Sequence, residues 1–308
     1  MNAQLFAASR RSKLPNAGAK HMRLGIVGML PGDFRTCVED HFEKIRGMDF
    51  TGAGFHFPGE LVTEVTGSDT ERCRSLFNAN GMDLAQFSIT YSECLFDPDL
   101  QAREKVSARI HRGAEICQQL GGTTYLLRPG SRNPGGSWTP HRANHTAEAM
   151  DLLIDTLRSI KTRLEDLGVI AVMETHCISI LNTPETCRRL VEEVSSPNLL
   201  LVMDAINHFE SLRQVYNSTE HFAHIFDHMG KLGPVCHIKD IAVDNGLVVH
   251  LSETIPGEGE LDLHTMLQRF HGAFPNGYGL IEHLSVDQIP LAATNVIRIA
   301  GEAKVPIF

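Results

Sequence analysis

The sequence predicts a single-domain α/β protein with the (β/α)8 TIM barrel fold, and three observations support this prediction. Short apolar runs alternate with longer helical stretches from about residue 23 to the end of the chain, as in folds with a parallel sheet. Four of the later runs end on a side chain that can bind a metal, at intervals of 30, 33 and 45 residues, close to the length of a strand–helix unit. The 308 residues suit one barrel, which takes about 250 residues.

Eight strands and eight helices are predicted in alternation. We expect the strands at Leu24–Gly28, Ala53–Phe57, Asp83–Phe87, Thr123–Leu127, Val169–Glu174, Leu199–Asp204, Val235–Lys239 and Gly279–Glu282. We expect the helices at about residues 35–47, 69–79, 99–119, 144–167, 184–195, 218–231, 262–272 and 287–302. Local signals agree: Thr183 can cap the helix that begins at Pro184, and Gly121 and Gly168 lie where helices must end before a strand.

The chain shows no internal linker or low-complexity segment, so residues 23–308 are expected to form one domain. An open doubly wound sheet is the alternative fold, but no GxGxxG pattern follows the first strand. Residues 1–22 carry four basic side chains and no acidic one. A transit peptide has such a composition, but we expect a disordered N-terminal extension.

The composition of the chain indicates which kinds of partner it can bind and in which cell compartment it functions. The net charge of −9 disfavours a nucleic acid as partner, because binding phosphates requires a basic surface. The apolar runs are too short for a membrane span, which needs about 18 residues. Seven cysteines without a CxxC pair indicate reduced thiols rather than a disulfide framework, so we expect a cytoplasmic protein.

The four strand-end ligands are Glu174, Asp204, His237 and Glu282. One such acid alone is more often a helix cap or an ion-pair partner, but parallel strands deliver their carboxyl ends to one rim of a barrel. Three carboxylates and one imidazole suit Mn²⁺, Mg²⁺, Co²⁺ or Fe²⁺ better than a structural zinc. The sequence therefore predicts one divalent ion, with Mn²⁺ or Mg²⁺ favoured and Zn²⁺ also possible.

The alternation of side chains along a strand decides which neighbours share this site. It places His176 beside the ligand of the fifth strand and Lys239 beside His237. The same alternation turns the side chains of the neighbours Glu282 and His283 to opposite faces. Only Glu282 is therefore expected to join the cluster.

Other side chains at the predicted rim are expected to contact the substrate, and each has a plainer interpretation. A histidine there can be a core residue, a lysine can pair with a nearby acid, and residues after a strand can be helix caps. Two long loops at the same rim, residues 128–141 and the one ending at 256–262, are typical of lids or binding loops. The expected substrate-binding residues are His56, Arg128, Trp138, His176, Asn207, His208 and Lys239.

The predicted cluster indicates proton transfer on a small sugar or polyol. A divalent ion polarises a carbonyl and helps the adjacent carbon lose its proton. Glu174 and Glu282 come from different strands, so they can serve as an acid/base pair on two sides of a substrate.

The residues of these strands resemble the sugar phosphate isomerase/epimerase superfamily, also called xylose isomerase-like TIM barrels, over residues 23–302. The resemblance implies a metal held by Glu174, Asp204, His237 and Glu282, with the two glutamates as acid and base in epimerases and ketose isomerases. The superfamily also includes inosose and dehydroshikimate dehydratases, hydroxypyruvate isomerases and enzymes acting on keto-glycosides, so the substrate stays open. The segments that carry the resemblance are VMETH at 172–176, LVMDAINH at 201–208, CHIKD at 236–240, PGEGELD at 256–262 and GLIEH at 279–283.

We therefore expect a metal-dependent isomerase or epimerase that acts on a small sugar, ketose or polyol. A lyase of the dehydratase type and a keto-glycoside-processing enzyme are the alternatives, and a barrel that binds a sugar without turnover is a third. A DNA-repair endonuclease of the same barrel type is disfavoured, because Asn207 stands where it would have a histidine. The expected partner is a small carbohydrate or polyol, and a homo-oligomer is an open possibility.

Overall fold

The computed structural model describes residues 20–308, and eight parallel strands form its centre. They lie in the hydrogen-bonded order β6-β5-β4-β3-β2-β1-β10-β7. A parallel bridge between Met203 and Cys236 joins the two end strands, with the amide of Met203 donating to the Val235 carbonyl at 2.8 Å. The strands are β1 Arg23–Val27, β2 Gly52–Pro58, β3 Asp83–Thr90, β4 Thr124–Leu127, β5 Ala171–Met173, β6 Leu199–Leu201, β7 Val235–Ile238 and β10 Tyr278–Ile281. The ring is therefore closed, and the predicted barrel is confirmed.

Helices follow the strands and pack against one another around the ring. Short 3₁₀ turns at Phe34–Thr36, Gly59–Leu61, Arg142–His145 and Ala205–His208 complete the connections. The helices are α1 Glu39–Arg46, α2 Gly67–Ala79, α3 Leu100–Leu120, α4 Ala147–Leu167, α5 Pro184–Val194, α6 Leu212–Tyr216, α7 Ser218–Met229, α8 Leu263–Ala273 and α9 Ile289–Glu302. The predicted first helix is interrupted at Val38, which has an extended backbone.

Capping residues fix where several helices begin and end. The Thr183 hydroxyl accepts from the amide of Thr186 at 3.2 Å, with Pro184 in the first turn, as the sequence predicts. Gly121 and Gly168 end α3 and α4 in the left-handed conformation, with φ of 78° and 63°, which glycine adopts without steric cost. Each glycine thus turns the chain back toward the next strand.

A feature that the sequence did not predict is an antiparallel hairpin after β7, formed by β8 Asp240–Val243 and β9 Leu251–Thr254. We expected a long loop there. The hairpin is anchored at its base by the buried Asp240 carboxylate, which accepts four backbone N–H groups. These donors are Ile241, Gly257, Gly259 and Leu261, at 2.8, 3.0, 3.1 and 3.2 Å. One carboxylate therefore holds the hairpin and the Pro256–Asp262 loop together.

The variant Asp240→Asn is expected to lower the free energy of unfolding by about 2 kcal/mol. Hydrogen bonds to a charged acceptor contribute about 1.5–3 kcal/mol each, and the NH₂ group of the new amide would face backbone N–H donors. Urea unfolding measures the change. Asp244→Asn is the matched control, since Asp244 lies in the same hairpin and its carboxylate accepts an exposed bond from the Ser252 hydroxyl. Equal unfolding midpoints for both variants would contradict this role of Asp240.

The two ends of the described chain meet at the ring. Of the predicted extension, residues 1–19 lie outside the described residues, whereas Met22 is fully buried and forms a parallel bridge with Ile307. Barrel packing therefore begins slightly before residue 23. Among the described residues, no helix has the length and hydrophobicity to cross a membrane.

Candidate metal centre

Four strand ends bring Glu174, Asp204, His237 and Glu282 together at one rim of the barrel. Each offers a ligand atom within 4.8 Å of the others, and all four side chains are buried. His237 Nδ1 lies 3.2 Å from Asp204 Oδ2 and 3.0 Å from Glu282 Oε1. Glu174 and Glu282 immediately follow β5 and β10, and His237 lies within β7. Asp204 follows Met203, which is bridged to Cys236 beyond the end of β6, so the barrel itself gathers the cluster.

Lys239 is the fifth charged member of this cluster. Its ammonium Nζ lies 2.7 Å from Asp204 Oδ2 and 2.8 Å from Glu282 Oε1. These are the two oxygens that His237 also contacts. The side chain is almost fully buried, so the lysine pairs with neighbouring acids, which is the plainer of its two expected roles.

The pKa values of the two glutamates of the cluster are shifted in opposite directions. Burial, together with the nearby Glu282 carboxylate, raises the pKa of Glu174 to about 7. Burial also acts to raise the pKa of Glu282, but the positive charges of His237 and Lys239 outweigh it and hold that pKa well below its ordinary value. Asp204 is likewise held low, because Lys239 and His237 overcome the effect of burial. One glutamate is thus readily protonated near neutral pH and the other stays ionised.

The donor set fits a hard divalent cation. Three carboxylates and one imidazole converge, and oxygen-rich sets of this kind suit Mg²⁺ and Mn²⁺. Asp204 Oδ1 is buried and has no hydrogen-bond partner among the described residues, although leaving such an atom unpaired is costly. Burial acts to lower the pKa of His237, but the two adjacent acids raise it to about 10. A metal would therefore displace a proton from this imidazole.

Gln86 contributes to the site in a way that the sequence did not reveal. It lies on β3, is fully buried, and its Oε1 is 2.9 Å from His237 Nε2. An oxygen at this position accepts the Nε2 proton, which leaves Nδ1 to face Asp204 and Glu282. Hydrogen bonds of this type fix the tautomer and ring orientation of metal-binding histidines.

The variant Gln86→Leu is expected to weaken Mn²⁺ binding about 10- to 100-fold, the usual cost of losing such an orienting contact. Isothermal titration of the metal-free protein with MnCl₂ measures it. Ser88→Ala is the control, because Ser88 is buried two residues further along the same strand and its hydroxyl donates to the backbone carbonyl of Ile89 at 3.3 Å. Wild-type affinity in Gln86→Leu would show that the amide does not orient His237.

A cavity of about 470 Å³ opens in front of the cluster, within the range of small-molecule sites. Six of the seven expected substrate-binding residues line it, as do both glutamates. Four further lining residues were not predicted. The complete lining consists of His56, Thr90, Arg128, Trp138, Glu174, His176, Ile178, Asn207, Lys239, Glu253, Glu282 and His283.

His208 is the expected substrate-binding residue that the structure places away from this cavity. It ends the 3₁₀ turn Ala205–His208, which directs its ring behind the rim, and its Nε2 lies 2.9 Å from the buried Thr175 hydroxyl. Asn207 does line the cavity, and its amide donates to Asp204 Oδ2 at 2.8 Å and to the Thr175 carbonyl at 3.1 Å. It therefore also orients a member of the cluster.

Of the neighbouring pair Glu282 and His283, only Glu282 belongs to the ligand cluster, as expected, but His283 also lines the cavity, although the alternation of side chains would turn its ring away. Its φ of 60° is left-handed, so the strand geometry that would have turned its ring away ends at Ile281. His283 Nδ1 lies 3.2 Å from Glu253 Oε2, and Nε2 lies 3.5 Å from Glu282 Oε1. Glu253 belongs to β9 and reaches the cavity only because the hairpin folds over the rim.

Another part of the cavity lining combines aromatic rings and a cation. The rings of Trp138 and His176 lie 6.0 Å apart, and the Arg128 guanidinium lies over the Tyr91 ring at 5.3 Å. Burial lowers the pKa of His56 to about 4, so this imidazole is neutral near pH 7. This part of the lining therefore offers flat apolar surfaces beside neutral hydrogen-bonding groups.

Comparison with known proteins agrees with this architecture. The family described as xylose isomerase-like TIM barrel matches residues 42–286. No curated protein sequence matches the chain.

Solved structures share the fold at low sequence identity. A xylose isomerase-like TIM barrel protein from Mycobacterium smegmatis in complex with magnesium is 15% identical, with a TM-score of 0.69, covering 94% of this chain and 98% of that one. D-psicose 3-epimerase with D-tagatose from Clostridium cellulolyticum H10 is 12% identical, with a TM-score of 0.69 and coverage of 92% and 99%. The apo form of 3-keto-D-glucoside 4-epimerase from E. coli is 17% identical, with a TM-score of 0.65 and coverage of 91% and 99%.

Proposed function

Because the chain belongs to the xylose isomerase-like TIM barrel family, we propose that it is a divalent-metal-dependent isomerase or epimerase acting on a small sugar, ketose or polyol. The observation that carries the proposal is the pair of buried glutamates, Glu174 and Glu282, at the floor of one cavity. They share a ligand cluster with Asp204 and His237. Such a pair beside a cation is what proton transfer at a carbon next to a carbonyl requires.

The positions of the two glutamates support opposite roles in proton transfer. Glu174 follows β5 and Glu282 follows β10, and these strands are separated by β6 and β7 along the shorter path around the ring. The two carboxyl groups therefore approach the cavity from different sides. Without a bound metal their pKa values are also pushed apart, so the two carboxyl groups lie in different electrostatic environments.

The residues present fit a bound divalent ion, with Glu174, Asp204, His237 and Glu282 as its holders and Mn²⁺ or Mg²⁺ as the favoured species. When bound, such an ion stabilises the negative charge that develops on a substrate oxygen. The magnesium complex of the related Mycobacterium smegmatis protein supports this assignment.

The cavity favours an uncharged substrate. Lys239 is engaged by two acids, which leaves Arg128 as the arginine in the cavity lining. The ring of Trp138 can cover the apolar face of a sugar, and His56 and Asn207 offer polar atoms to its hydroxyl groups. A ketose or a keto-glycoside meets these demands, as the names of the related D-psicose 3-epimerase and 3-keto-D-glucoside 4-epimerase suggest.

The test is solvent isotope exchange. The purified protein, stripped with a chelator and reloaded with MnCl₂, is incubated with ketoses, inososes and keto-glycosides in D₂O, and the products are followed by NMR. An isomerase or epimerase gives a product with the composition of its substrate and deuterium at the exchanged carbon. No exchange on any compound in the panel, from protein that holds its metal, would contradict the proposal.

A lyase of the dehydratase type is the second candidate, and one observation favours it. His283, paired with Glu253 at 3.2 Å, faces the cavity and can supply the acid that an expelled hydroxyl group requires; its hydrogen bond with Glu253 raises the pKa of His283. The same experiment separates the two reactions. A dehydratase product has lost water and shows a new ultraviolet absorbance from its conjugated carbonyl.

A further inference from the structure

A second group of metal-ligating side chains lies outside the barrel, away from the cavity. Glu185 occupies the first turn of α5, and His224 and His228 lie four residues apart on α7. Residues at this spacing share one face of a helix, and α5 packs directly against α7. The three side chains therefore meet across the contact between two neighbouring helices.

The distances in this group fit a shared metal ion as well as an ion pair. His224 Nε2 lies 2.8 Å and His228 Nε2 lies 3.5 Å from the same oxygen, Glu185 Oε1. A hydrogen bond accounts for the first contact, but the second is long for one. A tetrahedral Zn²⁺ with ligands at about 2.0–2.1 Å separates its ligand atoms by about 3.3 Å. The two distances bracket this value, and the three ligand atoms all lie within 4.8 Å of one another.

The group is accessible to an ion, although the Glu185 carboxylate also hydrogen-bonds to Thr183 at the start of α5. The two imidazole rings lie 4.8 Å apart, and the three side chains are between 31% and 51% exposed, so an ion can reach them. His221, one turn earlier, is held differently, because its Nε2 lies 2.9 Å from the His208 carbonyl. Three protein ligands therefore converge, and water can complete the fourth position.

We propose that Glu185, His224 and His228 form a zinc-type site that links α5 to α7, separate from the centre in the barrel. Two imidazoles and one carboxylate suit Zn²⁺, Cu²⁺ or Ni²⁺, whereas the barrel centre is oxygen-rich and suits Mg²⁺ or Mn²⁺. The two sites thus select different ions. A bound ion stabilises the folded protein, because it binds the folded state and the unfolded chain does not bring the three ligands together.

The experiment is a zinc titration of the full chain, without an affinity tag and after chelator treatment, followed by calorimetry and thermal unfolding. The background is His237→Ala, which removes the imidazole of the barrel centre, so that the result does not depend on that centre or on the proposed reaction. We expect this protein to bind one equivalent of ZnCl₂ and to melt several degrees higher in its presence. Adding His224→Ala and His228→Ala should remove both effects, and adding Glu185→Gln should weaken binding at least 10-fold.

The matched control is His264→Asn in the same background. His264 Nε2 lies 2.8 Å from Glu302 Oε2 at a similarly exposed helix surface. Among the described residues, this pair is not joined by a second histidine to form a candidate metal site. This variant should bind zinc like its parent. No binding by the parent protein, or equal binding after removal of His224 and His228, would overturn the proposed site.

Discussion

Replacing Glu174 with glutamine is expected to lower turnover about 10²- to 10⁴-fold, the usual contribution of a positioned acid or base, while the barrel stays folded. Glutamine keeps the shape of the side chain but cannot accept or deliver the proton. The fold should tolerate the change, because burial and the neighbouring Glu282 already disfavour the charged form of Glu174. The rate of deuterium exchange into a responding ketose measures the effect, and thermal unfolding verifies the fold.

Because Glu174 is also a candidate metal ligand, the metal content of the variant must be measured with its activity. A loss of turnover with one equivalent of metal retained assigns the defect to proton transfer. Glu253→Gln is the control, since Glu253 lines the same cavity outside the ligand cluster, and we expect it to lose far less activity. Near-normal exchange by metal-loaded Glu174→Gln would remove this residue from the acid/base role.

The strands and the residues at their ends could be predicted because two constraints act together. Strands buried on both faces appear in the sequence as continuous apolar runs, such as Tyr278–Ile281, and parallel strands in a closed ring bring their carboxyl ends to one rim. The structure brings Glu174, Asp204, His237 and Glu282 to that rim. Their roles as ligands remain a prediction that the metal experiments address.

The hairpin over the rim was missed because its strands lack the apolar pattern of the barrel strands. β9 is only partly buried, and Leu247, Val248 and Val249 near its start are exposed. A hint was present in Asn245-Gly246, since this dipeptide is a strong turn signal. Without the hairpin, the sequence could not place Glu253 at the cavity.

Two other parts of the site depend on geometry that no local pattern encodes. His283 turns toward the cavity because of one left-handed backbone conformation, whereas the alternation rule assumes an extended strand. Gln86 meets His237 across the ring from a position 151 residues earlier. A single amide within a buried strand has no spacing that would identify its partner.

Replacing His237 with alanine is expected to abolish stoichiometric metal binding at the barrel centre and, with it, turnover. The change removes one of the four candidate ligands, and the only imidazole that the described residues bring to the cluster. It also leaves the buried Asp204 and Glu282 with Lys239 as the remaining cation that contacts both. Because breaking a buried charge pair costs about 3–5 kcal/mol, the metal-free variant should also unfold more easily. Elemental analysis and urea unfolding measure the two effects.

The control for this variant is His283→Ala, which removes an imidazole from the same cavity but leaves all four ligands in place. It should retain about one equivalent of Mn²⁺ and the stability of the wild-type protein. If His237→Ala also retained its metal, the imidazole would not be needed to hold the ion, and Lys239 could still be the permanent counter-ion of Asp204 and Glu282. Lys239→Met then decides between the two arrangements. It should strengthen Mn²⁺ binding if the ammonium competes with the metal for the two oxygens, and it should destabilise the barrel if the lysine is their permanent counter-charge.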